Sequence, residues 1–199
     1  MTDDTATAAN ALMAGLRPFP VAITTLSQGR ANGLMSLSAG SAGIVDEAPR
    51  FQFGLTKYNF THDLVIESGV AAMHFLAAEP EEALEESLQI IMGLGGSSGR
   101  DGDKLGRFRT KKGVTGVPIL LDALGYVEGR VVHSMDTEEN TVFVCDVLAS
   151  ERLRDGRRLN IGTAWSSLPK EWTERYDRNH VHQTNDARRR RGLPLREAH

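Results

Sequence analysis

The stretch "ANGLMSLSAGSAGIVDEAPRFQFGLTKYNFTHDLVIESG", residues 31–69, carries three patterns in a row. Residues 31–40 alternate larger and smaller side chains, as a strand with one face on a core does. In "RFQFGL" (50–55) Phe51, Phe53 and Leu55 fall on one face of a second strand, because successive side chains point to opposite sides. "LTKYNFTHDLVIESG" (55–69) then crowds a lysine, a tyrosine, an asparagine, a threonine and a histidine ahead of a short helix. Thr61 suits the N-cap, Asp63 the first turn, Leu64 and Val65 the buried face, and Gly69 the stop, giving a helix of about two turns. Two readings of the crowding stay open on these residues alone. One is a capped helix with a solvated lysine. The other is a phosphate-sized anion clamp, in which first-turn N–H groups, the helix dipole, Lys57, Asn59 and Thr61 converge.

Working outward, "VAITTL" (21–26) is rich in β-branched residues and ends in the turn "SQGR", so it pairs with the following strand as a hairpin. A helix is expected over 8–16, stopped by Pro18 and Pro20. "VAAMHFL" (70–76) reads as a strand. From Pro80 through Met92 glutamates open a helix in which Leu84, Leu88 and Ile91 recur three or four apart. "GLGGSSGRDGDKLG" (93–106) reads as a connector loop, with a lid over a binding site as the alternative, and it fails as a P-loop, since Asp103-Lys104 is followed by Leu105 and no strand precedes it. "LGYVEGRVV" (124–132) and "NTVFVCDVL" (140–148) are strands joined by the hairpin "HSMDTEE". From Trp165 the chain turns polar and helix-compatible, with Trp172 and Tyr176 on one face at i,i+4. About six or seven strands, two short helices between them and a helical tail favour a small antiparallel barrel over a doubly wound parallel sheet. The expected division is a barrel domain over 1–164 and a polar helical tail over 165–199.

The 199 residues, 40% of them hydrophobic, suffice for one well-filled core. A net charge of −3 gives no general attraction to nucleic acid or membrane, and the arginine run 188–191 reads as solvated surface. The single cysteine, Cys145, lies in an apolar strand as core filler, which fits a reducing cytoplasm. The start, with Thr2, Asp3 and Asp4, has no basic region followed by a long apolar stretch, so no signal peptide is expected, and no apolar run approaches a membrane span.

G-x-S-x-G, H-E-x-x-H, paired cysteines and a strand-borne G-x-G-x-x-G are all missing from the sequence. His180 and His182 form an H-x-H without a carboxylate or cysteine at metal spacing, so they read as solvent-facing. His74 and His133 fall in strands and read as half-buried, hydrogen-bonded histidines.

The segment 31–55 followed by 56–69 resembles the flavin reductase-like family of FMN-binding split barrels. The resemblance rests on Asn32-Gly33, Ser36 and Ser38, Pro49, Lys57 with Thr61, and Ser68-Gly69. Later it rests on "GDKLGRF", "PILLDALGYVEGRV" and "TVFVCDV", so that it spans roughly 17–148. It implies a mainly β, antiparallel Greek-key split barrel. It also implies FMN, with FAD as the alternative, bound by Asn32, Leu34, Met35, Ser36, Leu37, Ser38, Thr56, Lys57, Asn59 and Thr61, with the backbone of 34–38 along the ring edge and Lys57, Asn59 and Thr61 at the phosphate. NADH or NADPH would be the electron donor, and no catalytic side chain is implied, because the cofactor carries the hydride chemistry. A homodimer is implied as well, with a flavin-dependent monooxygenase as a partner that takes reduced flavin. This chain has Met35 where many members carry threonine, Asn140 where a histidine is frequent, and Cys145 in place of a glycine. The first two bear on nicotinamide recognition and leave an FMN-binding redox protein without free NAD(P)H turnover as the alternative.

Overall fold

A computed structural model describes residues 3–16 and 19–196. Its backbone is one seven-stranded antiparallel sheet in the order β2-β1-β5-β8-β9-β4-β3. The first hairpin, β1 (Val21–Ser27) and β2 (Arg30–Ser36), turns on Gln28 and Gly29, whose φ values of 49° and 78° give the twist that a two-residue hairpin needs. The strand expected over 31–40 is in fact two. β2 ends at Ser36, and β3 (Ala39–Ser41) pairs with β4 (Arg50–Thr56) at the opposite edge of the sheet. Only Leu37 and Ser38 join them. Two residues cannot span seven flat strands about 4.8 Å apart, so the sheet must curl until its edges meet. The seam is held where Gly54 N donates to Ser38 O (2.6 Å) and Ser38 N donates to Ser36 Oγ (3.1 Å). A Cβ at Gly54 would press on the Ser38 hydroxyl, which is why the seam takes glycine there. The connection from β4 to β5 (Val70–Phe75) passes over β8 (Gly125–Asp136) and β9 (Asn140–Arg152), the Greek-key crossing. The protein is an antiparallel split β-barrel.

The barrel interior is filled by Phe51, Phe53, Phe143, Ile23, Leu55 and Met73, with the Phe53 and Phe143 ring centroids 5.4 Å apart. β1 is buried on both faces: Val21 and Ile23 point into this cluster, while Ala22 faces a second cluster under α3 (Glu81–Gly95). A small residue at 22 lets the helix approach. α3 buries Ala83, Ser87, Ile90, Ile91 and Leu94, and runs to Gly95, beyond the expected end at Met92. Leu84 and Leu88, expected on the core stripe, are half-buried at its margin.

Other elements differ in extent. α1 (Asp3–Ala14) starts earlier than 8–16, and the expected stop at Pro18 lies outside the described residues. β6 (Thr110–Lys112) and β7 (Pro118–Leu120) form a small separate sheet that sequence patterning missed, since each spans three residues. The β8–β9 turn shrinks to 137–139, with Glu138 at φ 67°. The tail folds as α4 (Ile161–Ser167) and α5 (Lys170–Arg190). Among the described residues no helix is long and apolar enough to cross a membrane.

Two buried polar side chains brace this frame. His74 is fully buried, with Nδ1 donating to Ala22 O (3.3 Å) and Nε2 accepting from Leu120 N (3.1 Å). An acceptor on one side and a donor on the other define the neutral tautomer, and burial pushes the imidazole pKa down to about 4. The Glu128 carboxylate, also buried, accepts from Val114 N, Thr115 N and Thr115 Oγ1 and so shapes the β6–β7 turn. His133, by contrast, is exposed, because beyond Arg130 β8 pairs with β9 alone and has lost β5 as a neighbour. Cys145 is core filler, its thiol pushed by burial up to about 12.

Candidate functional site

The seam of the split barrel opens into a cleft with two lobes, of about 370 and 280 Å³. Asn59, Gly95, Tyr176, His180 and Gln183 border both lobes, so the two are parts of one groove.

The first lobe is built at the start of α2 (Phe60–Ser68). Asn59 is the N-cap residue, in extended backbone with φ −79° and ψ 133°, and Thr61 sits inside the first turn instead of capping it. The Asn59 side chain turns back, its Nδ2 donating to Thr56 Oγ1 at 2.6 Å. No side chain caps the helix, Phe60 and Thr61 of its first turn line the lobe, and the positive end of the helix dipole lies there. Thr61 and Asn32 form the floor, both under 4% exposed, with Asn32 Nδ2 donating to Thr61 Oγ1 at 2.9 Å. Asn32 Oδ1 has no partner among the described residues, an acceptor left asking for a donor.

Above this floor lies the segment 93–106 that read as a connector. Gly95 to Gly99, Asp101 and Lys104 line the lobe. Gly99 lies so close over Asn32 that an added Cβ would strike its amide. Arg100 fastens the loop to α2, donating to Tyr58 O (2.9 Å) and to Asp63 Oδ2 (2.8 Å), with its guanidinium 5.5 Å from the Phe60 ring. Lys104 turns inward, Nζ donating to Leu94 O (2.5 Å) and Ser97 O (2.9 Å) at the end of α3. Burial and, secondarily, the Arg107 charge lower its pKa to about 8. The loop was legible as glycine-rich; that it closes over Asn32 was not.

The second lobe is walled by the end of β2 and by Leu37 and Ser38, with Thr56, Asn140 and Val142 beside them. β2 is an edge strand, so one row of its backbone groups has no neighbouring strand, and its last residues Met35 and Ser36 line this lobe. Met35, Ser36, Leu37 and Ser38 line this lobe, Asn32, Leu34 and Thr61 the first, Asn59 both, and Thr56 the second. Lys57 is the exception. It lies outside both linings, and its Nζ donates to both carboxylate oxygens of Asp136, at 2.7 and 2.6 Å. The carboxylate claims the lysine because the end of β4 lies beside the β8–β9 turn, where Lys57 N also donates to Glu139 O (2.9 Å).

The opposite wall is α5. Trp172 is buried, donating Nε1 to Met92 O (3.3 Å) on α3, and Tyr176 stacks on it with centroids 5.2 Å apart. The aromatic ridge thus lies on its own chain. His180 and His182, read as solvent-facing, are exposed and yet border the first lobe. Gln183 Nε2 donates to Thr56 Oγ1 (2.8 Å). The arginine run is partly paired, with Arg189 and Arg190 on Asp186 and Arg191 on Glu139. Tyr176, His180 and Gln183 were not expected in the site. The one signal for them is their common face on the helix, with Trp172, at spacings of four, four and three.

These residues suit a flavin mononucleotide. A helix N-terminus accepts one phosphate, the buried Asn32 and Thr61 give the lobe a polar floor, and the strand-walled lobe admits a flat ring.

Comparison with known proteins agrees with this geometry. A ferric-chelate reductase (NAD(P)H) of Archaeoglobus fulgidus is 31% identical over 106 residues, covering 53% of this chain; the chain spans only 59% of that relative's length. An FMN-binding protein from Thermus thermophilus superimposes with a TM-score of 0.59 at 24% identity, over 68% of this chain and 71% of the other. Nitrilotriacetate monooxygenase component B from Mycobacterium thermoresistibile superimposes with a TM-score of 0.61 at 20% identity, over 78% and 83%. The sequence profile of the "Flavin reductase like domain" matches residues 14–161, a span that includes the whole barrel, and the chain belongs to that family.

Proposed function

We propose that the protein is an NAD(P)H-dependent flavin reductase that holds FMN in the cleft. The observation that carries this reading is the pairing, in one groove, of a helix N-terminus suited to a single phosphate with a lobe edged by unpaired strand backbone. In this reading the α2 N-terminus, Asn59 and Thr61 hold the phosphate, and Asn32 braces Thr61 from beneath. Leu34 to Ser38 and Thr56 meet the ring edge. Lys57, matched by Asp136, stands outside the cradle and adds little. One phosphate cradle favours FMN over FAD. When bound, the flavin would supply the chemistry, accepting a hydride equivalent from NADH or NADPH. The chain's own part is to hold the ring, keep water from it with Leu34, Met35 and Val142, and leave an approach for the donor. No side chain is assigned a catalytic proton.

The finer proposals follow from the same reading. Residues 1–164 carry the flavin site and 165–199 an arm laid across it. β8 exposes Met135 and β9 exposes Leu148, apolar side chains that a second copy would cover in a homodimer. A flavin-dependent monooxygenase would draw on the reduced flavin, as the name of the Mycobacterium neighbour suggests, in a cytoplasmic setting that keeps Cys145 reduced. A second reading, an FMN-binding redox protein without free NAD(P)H turnover, is favoured by the wall that α5 sets across the ring lobe. The absorbance spectrum of purified protein, before and after NADH or NADPH without oxygen, separates these. A flavin spectrum that bleaches within seconds supports the reductase, one that persists supports the second reading, and a colourless protein that takes up no FMN ends both. Fluorescence of the cofactor released by heat identifies FMN or FAD.

A further inference from the structure

We propose that α5 is the second wall of the flavin site: Tyr176 and His180 cover the ring lobe, Gln183 latches the helix to Thr56, and release of flavin waits on this latch. The inference rests on the flavin reading above and adds residues that lie beyond the span matched by the family profile.

Three observations carry it. The first is a ladder of flat side chains on one helix face. Trp172 and Tyr176 are stacked with centroids 5.2 Å apart and planes at 21°, and Tyr176 and His180 follow at 6.1 Å and 13°. The ladder begins in the core, where Trp172 is 5% exposed, and ends at the exposed His180, which borders both lobes. Near-parallel planes repeated along a groove offer a further flat heteroaromatic system a surface to pack on.

The second is the latch. Thr56 Oγ1 accepts from Asn59 Nδ2 at 2.6 Å and from Gln183 Nε2 at 2.8 Å. Both lone pairs are then occupied, so the hydroxyl hydrogen is left to donate to a third partner, and Thr56 lines the ring lobe. One side chain on the barrel, one at the phosphate end and one on α5 thereby meet at a single oxygen. The third is what the rest of α5 lacks. Among its described residues only Trp172 is buried, so the helix is held by few contacts and can lift without unfolding the barrel.

The test loads wild-type protein and variants with FMN, measures the dissociation constant, the rate of FMN release and the fluorescence of the bound flavin, and uses Arg178→Ala on the same helix as reference. For Tyr176→Ala and His180→Ala the inference expects release about tenfold faster and brighter bound flavin, since aromatic neighbours quench it. For Gln183→Ala it expects release about fivefold faster, the size of one lost hydrogen bond. Tyr176→Phe keeps the ring and should match wild type, which guards against a folding artefact from Tyr176→Ala. Wild-type protein that takes up no FMN overturns the flavin reading and this inference together. FMN uptake with all variants equal to Arg178→Ala overturns the role of α5 alone.

Discussion

The two walls of the cleft are made differently. The strand wall is locked into the barrel: Asn32 and Thr61 are buried, and Thr56 pairs with Asn140 across the β4–β9 ladder. The helix wall is polar, largely exposed, and fixed by Trp172 at one end and Gln183 in its second half. β2 is laddered to β1 along its whole length and β4 to both β9 and β3, so this wall opens only with the sheet, whereas a helix resting on one aromatic anchor can detach alone. The barrel should therefore set where the ligand sits, and α5 how long it stays.

The strongest way to break this contrast is at the two anchors. Phe143→Ala empties a fully buried site beside Phe53 and should cost the whole protein about 3–5 kcal/mol, seen as a lower urea midpoint. Trp172→Ala also removes a large buried ring, but its loss should appear as rapid proteolysis within 165–190 while the urea midpoint of the barrel shifts far less. Equal global losses would mean that the two walls form one cooperative unit.

Acid tests the strand side by another route. The unfolded chain binds a proton on His74 near pH 6.5, and the folded chain only near 4, so the unfolded state takes up more protons between these values. Stability from this group is then complete above pH 6.5 and falls by about 3 kcal/mol as the pH drops towards 4. Chemical denaturation across this range should show the slope, and His74→Gln should flatten it.

Gly99→Ala probes the loop closed over the strand floor. Its Cβ meets the Asn32 amide, and the loop must lift. FMN affinity should fall about tenfold with the melting temperature nearly unchanged, since the loop covers the site and carries little of the core. The smallest effect is expected at Lys57→Met. The lysine's partner Asp136 is 67% exposed and holds its charge, so FMN affinity should stay within about threefold in a titration at ordinary salt. A hundredfold loss would show that the lysine leaves Asp136 for the anion.

Local signals predicted the strands well where a strand was long and alternating. β1, β4 and β5 lie within one residue of the expected ranges, and Gly69 ends α2 in the left-handed conformation, φ 65°, that glycine permits. The break after Ser36 was not legible, because "ANGLMSLSAG" keeps its alternation straight through the two residues that cross the barrel seam. Thr61 was favoured as N-cap on residue type, yet Asn59 two positions earlier suits the role as well. The choice fell to the buried hydrogen bond between Thr61 and Asn32, a contact from β2. Lys57 was expected at the anion for its charge, and its actual partner lies 79 residues away.

What the residues alone determined is the barrel and its strand wall: periodicity of two, a glycine stop, a crowded loop before a helix and a family pattern running through 31–69. What only the tertiary structure decided is the other half of the cleft. The glycine loop over Asn32, the diversion of Lys57 to Asp136 and the laying of Tyr176, His180 and Gln183 against Thr56 all join residues far apart in the chain. Such contacts leave no local period to read. They depend on which surfaces remain uncovered once the sheet has curled, and that is settled by the closure of the barrel and by no single segment.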